Sequence, residues 1–143
     1  MSSGITNSPG WFPVAVQALI AIASTEGLCS SNAMAQGLKA HAVFVRRVLA
    51  QLVRADIVRA REGHNGGYSL ARSADNITLA EVYQAVKIAD SAESATCSKG
   101  VNARVQSMLD EIGAEAEQRL LEVLGHYTLA AVLKHVTVSS HPA

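Results

Sequence analysis

Arg46 and Arg47 stand side by side in HAVFVRRVLAQLVRAD, and a second basic stretch, residues 61 to 72, reads REGHNGGYSLAR. A guanidinium is a planar fork of donors that matches phosphate oxygens and the edge of guanine, so both stretches have chemistry suited to a polyanion. In the second, three of the chain's ten glycines fall within five positions around His64 and Asn65. Glycines gather where a backbone turns through positive φ or comes close to another molecule. A phosphate-cradling nucleotide loop is set aside, because Gly-Lys-Ser/Thr is absent and a strand pattern, YSLAR, follows where a helix would be needed. Glu81, Asp110, Glu111 and Glu115 fall in no nucleophile or paired-acid arrangement, so the chain reads as a binding protein and not an enzyme. Cys29 and Cys97 are the only cysteines; they form no Cys-x-x-Cys unit and match neither a disulfide framework nor a structural zinc site.

The net charge of zero hides an asymmetry. Residues 1 to 72 hold seven positive charges against three negative, a balance of plus four, and residues 73 to 143 hold five against nine, a balance of minus four. A basic half joined to an acidic half implies that the first meets a polyanion while the second has another task. At 143 residues and 49% apolar content the chain suits one domain with an appended element. No apolar run approaches the ~20 residues that cross a bilayer, and MSSGITNSPG lacks the basic start and apolar core of a secretory signal. The expectation is a cytoplasmic protein with no membrane partner and a flexible tail over residues 1–10.

The positioning elements follow from periodicity. WFPVAVQALIAIAS spaces Phe12, Val16, Leu19, Ile20 and Ala23 as one helical stripe, with Pro13 tolerated in the first turn. Ser31 opens a second, brief helix, where a Ser side chain caps exposed amides. Val45, Val48, Leu49, Leu52 and Val53 form the inner stripe of a third, whose outer face is Val43, Arg46, Arg47, Ala50 and Arg54. IVRAR and YSLAR alternate, with Val58 and Ala60 on one face and Arg59 and Arg61 on the other, and the glycine-rich stretch joins them as a hairpin. Helix, helix, helix, hairpin is the order of a winged helix. Thr78 and Glu81 then stand at capping-box spacing before another helix. The fold class is therefore mainly α with a small β-hairpin: a winged helix-turn-helix DNA-binding domain over residues 11–88, a loop carrying Cys97 over 89–100, and a dimerisation helix plus C-terminal helix over 101–143. The long helix, through Val105, Met108, Leu109 and Ile112, outgrows the domain before it, and a second copy is the simplest cover for its apolar stripe.

SSNAMAQGL, VFVRRVLAQLVRADIVRAREGHNGGYSLAR and NITLAEVYQAV, in that order, resemble the Rrf-two family of bacterial winged-helix transcription regulators, over roughly residues 11 to 88. The resemblance implies a homodimer on double-stranded DNA at a near-palindromic operator, with a recognition helix in the major groove and a wing in the minor groove. Two departures stand out. The family commonly has Gly where this chain has Asp56, so that helix end needs a non-glycine cap. Cluster-binding members carry three closely spaced cysteines before the long helix; here only Cys97 stands there, so no iron–sulfur cofactor is expected, and CSKGVNARVQSML is similar to the cluster-free branch.

Each site residue has a plainer rival role. Arg46 and Arg47 contact DNA or form a solvated helix face. His41, at the N-cap of the recognition helix, and Val43 and Phe44 approach the groove, while Phe44 equally suits core packing. Ser31 presents a helix N-terminus to a phosphate, caps the helix, or does both. Gly66 and Gly67, with Gly63, let the strand ends close while His64 and Asn65 project into a minor groove or into solvent. Arg59 and Arg61 add salt-sensitive phosphate attraction. Cys97, near Lys99 and a helix N-terminus, is either a regulatory thiol or a space-filling side chain; an oxidant or a small molecule is the candidate effector. Cys29 reads as core. The expected function is a sequence-specific repressor, and the alternative is a helical protein-interaction module without specific DNA binding.

Overall fold

The computed structural model describes residues 10–94 and 102–139. Helix α1 (Trp11–Ser24) lies at the centre. Its fully buried residues are Trp11, Ala15, Ala18, Leu19 and Ile22, with Phe12, Val16 and Ile20 only partly covered. The stripe is thus rotated from the one expected, because α1 is covered on more than one side: it packs against α3 (Ala42–Arg54) and against α4 (Leu79–Ser94). Ala15 and Ala18 let backbones approach, and the larger Phe12 reaches Tyr83 of α4 edge-on at 5.6 Å.

The second helix, α2 (Ser31–Leu38), is capped by Ser30 and not by Ser31: the Ala33 amide donates to Ser30 Oγ at 3.1 Å. Ser31 is the first helical residue, since the residue with extended φ/ψ is the one before it. Both helices of the pair end the same way. Lys39 sits at φ 54, donating to Gln36, while Ala40 donates to Ala35; Asp56 sits at φ 61, donating to Val53, while Ile57 donates to Leu52. These are Schellman caps with a non-glycine residue in the left-handed position, and buried Ala35 and Ile57 supply the apolar contact. The cap without glycine expected at Asp56 is therefore present.

Strands β1 (Val58–Arg61) and β2 (Gly67–Leu70) pair antiparallel, with Arg59 opposite Ser69 and Arg61 opposite Gly67. The other edge of β2 bonds to the chain before α2, Cys29 and Tyr68 exchanging amide-to-carbonyl bonds of 3.0 and 2.9 Å. Val58 is buried, but Ala60, expected beside it on the inner face, is exposed. β1 leaves the core after its first residue, whereas β2 stays partly buried with Tyr68 and Leu70 against the core, so the outer strand and the turn form the exposed part of the wing.

Helix α4 starts at a capping box and runs to Ser94, so residues 89–94 are helical where a loop was expected; no Gly or Pro interrupts ADSAES. Helix α5 (Ala103–Gly125), capped by Asn102, is 23 residues and about 35 Å long. It lies along α4, where Lys87 pairs with Glu117. Helix α6 (Leu129–Ser139) returns beside the start of α4. There Leu79 donates to Tyr127 and Leu129 to Ile77, at 2.9 and 2.8 Å, and Leu129 is fully buried. Among the described residues no helix is long and apolar enough to cross a membrane.

Candidate nucleic-acid interface

α3 turns one face to the core and the other outward. Val45, Val48, Leu49 and Leu52 are completely buried, whereas Val43, Arg46, Arg47, Ala50 and Arg54 are exposed, Val43 by 56%. Val43 is thus an apolar side chain open to solvent at the start of a basic helix face. His41 occupies the N-cap, exposed and making no side-chain cap hydrogen bond, so the positive end of the helix dipole lies beside Val43 without a side-chain acceptor. Phe44 turns the other way. Its ring meets Trp11 edge-on at 5.0 Å, and of its two roles the geometry supports core packing.

The wing joins Arg59, Arg61, His64 and Asn65 on one exposed projection. Its tip is a turn closed by the Gly66 amide on the Gly63 carbonyl at 3.0 Å, with Gly63 at φ 112. Gly66 is required for a different reason: a Cβ there would lie 2.0 Å from the Arg61 carbonyl oxygen. At Gly67 a Cβ would press on Cys29 and Leu28. The glycine cluster thus serves both a positive-φ turn and close backbone approach, within the protein itself.

At the base of the wing Arg72 gathers three segments. Its Nε donates to the Asp56 carbonyl at 3.3 Å, and its Nη1 donates to the Asn76 carbonyl at 2.7 Å and to Glu81 Oε1 at 2.8 Å. The other oxygen of Glu81 accepts from the Thr78 amide at 3.0 Å, and Thr78 Oγ1 accepts in return from the Glu81 amide at 3.2 Å. Partial burial would raise the Glu81 carboxyl, but the Thr78 amide and the Arg72 guanidinium outweigh it and hold the group below the usual carboxylate range.

A model of the family Rrf2, described as an iron-dependent transcriptional regulator, matches residues 11–135. The chain belongs to this family. YwnA of Bacillus subtilis strain 168, which carries the name of an HTH-type transcriptional regulator, is 28% identical over 122 residues, spanning 82% of this chain and 91% of that protein. Among solved structures, IscR of T. potens superimposes with a TM-score of 0.69 at 21% identity over 100% of this chain and 93% of its own. CymR (YrzC), titled the global cysteine regulator of B. subtilis, gives 0.63 at 19% identity over 94% and 98%. The winged-helix fold is common to all of these structures, and the protein is an Rrf2-type transcriptional regulator.

The Rrf2 description names iron, and the donor set tests it. An iron–sulfur cluster takes several thiolates. This chain has two cysteines. Cys29 is buried against β2, its Sγ 4.0 Å from the Ser30 carbonyl, and Cys97 lies outside the described residues. Among the described residues no three His, Cys, Asp or Glu side chains gather around a metal position. These residues do not fit a cluster held by one chain.

Arg72 was missed in reading the sequence as a site residue. Its one signal was the capping box itself, whose Glu81 keeps an oxygen free for a cation.

Proposed function

We propose that this Rrf2 protein is a homodimeric, sequence-specific repressor that holds a near-palindromic operator. α3 enters the major groove with Val43, Arg46 and Arg47 toward base edges and phosphates, His41 and the start of α2 at Ser31 lie against the backbone, and the wing puts His64 and Asn65 into the minor groove with Arg59 and Arg61 on phosphates. The observation that carries the reading is the exposed face of α3: an open valine and arginines on a helix whose other side is completely buried. The apolar stripe left uncovered on α5 supports the dimer, which brings two such faces to half-sites about one turn apart. Release is controlled near the junction of the wing domain and α5, through oxidation of the Cys97 thiol or through a small ligand.

Selection of bound sequences from random duplexes, with reduced and then oxidised protein, tests this. A near-palindrome whose affinity falls on oxidation, and does not fall in Cys97→Ser, is the expected result. A palindrome bound equally in both states would remove the thiol and leave the ligand. Weak, salt-sensitive binding with no enriched sequence would overturn the reading.

A further inference from the structure

We infer that Arg72 is a positioning residue that sets the angle of the recognition helix and wing on the dimer scaffold, and thereby the half-site spacing the protein accepts. The inference rests on the operator-binding reading above. One guanidinium holds the turn where α3 passes into β1 (Asp56), the segment after the wing (Asn76) and the capping box of α4 (Glu81). α4 in turn lies along α5, so the Arg72 cluster is a polar link from the reading elements toward the long helix. Apolar packing sets the crossing of α3 and α4 only to within the scatter of interdigitated side chains, and directional hydrogen bonds from a planar fork narrow that further. The lever is long enough to matter. α3 has 13 residues and spans about 20 Å, so a tilt of about 10° at its Asp56 end moves its His41 end by about 3.4 Å, one base-pair step.

Lysine discriminates this role from a structural one. It keeps the charge beside Glu81, but with all its donors on one atom it does not reproduce the separate Nε bond to Asp56. The experiment measures binding of wild type and Arg72→Lys to the selected operator and to versions with the half-sites one base pair closer or further apart, alongside thermal unfolding and salt dependence. The expected result is that Arg72→Lys keeps the salt slope and a folded dimer, while the preference for the native spacing narrows about two- to fivefold, the scale of one exposed charged contact. Parallel loss of affinity at all spacings, with the preference intact, would overturn the inference and leave Arg72 as a stability residue. If Arg72→Lys melts below the assay temperature, Glu81→Gln takes its place: it weakens the same link from the other side and keeps an amide oxygen for Thr78, with the same two outcomes. Failure of the wild type to select any operator would instead sink the reading on which this rests.

Discussion

Ile112→Glu is the sharpest perturbation of the long helix. Val105, Met108, Leu109 and Ile112 recur at three- and four-residue intervals on α5, and each is about half exposed, Ile112 by 56%. Full burial of such a side chain stabilises by about 1.5–3 kcal/mol, so the half still open at Ile112 has about 1 kcal/mol to give. A two-fold interface uses the position twice, which makes about 2 kcal/mol lost from association, and burying a charge against the partner's apolar stripe adds to it. The dimer dissociation constant should therefore rise at least about 30-fold. Ile112 is outside the buried core, so the protomer should stay folded, with helical circular dichroism unchanged. Sedimentation equilibrium over a wide concentration range reads the constant directly. A dimer of unchanged affinity in the variant would refute the assignment of this stripe to the interface, and a wild type that stays monomeric at high concentration would refute the dimer.

Three further outcomes follow from local geometry. Asp56, at φ 61, should accept Gly with little change in stability, whereas Asp56→Val puts a β-branched residue in the left-handed region and should cost about 1–3 kcal/mol in chemical denaturation; equal stability of the two variants would contradict the Schellman cap. Gly66→Ala places a Cβ 2.0 Å from the Arg61 carbonyl oxygen, so the backbone of the tip must shift; the variant should lose some thermal stability and, while still folded at the assay temperature, bind the operator more weakly, and intact binding would remove the wing from the interface. Because Glu81 is held below its ordinary value of 4.5, its stabilisation is complete above that pH and is lost as pH falls through the lowered folded value; Glu81→Gln should flatten the stability profile in that acid range, and parallel profiles would refute the shift.

What was legible in the sequence was what repeats along the chain. The inner stripe of α3 and its basic outer face were readable from spacing, because all of its neighbours lie on one side and leave the opposite face to solvent. α1 was misread by the same rule, since it is covered on more than one side and its alanines Ala15 and Ala18 are completely buried while larger Phe12 and Val16 are only partly so. The Ser30 cap and the exposed Ala60 turn on where an element begins or leaves the core, which a period of 3.6 or 2 does not encode. Hairpin glycines could be assigned to a turn, but the separate demands on Gly63 and Gly66 depend on which carbonyl each faces. Arg72 is the harder case. Its partners Asp56, Asn76 and Glu81 lie 16, 4 and 9 residues away, two of them are backbone carbonyls, and no pattern of residue types marks a carbonyl as the acceptor. A DNA reader needs its helix held at an angle as much as it needs arginines on the face. The arginines stand in the sequence as letters, while the angle depends on oxygens that every residue possesses and only the fold brings together.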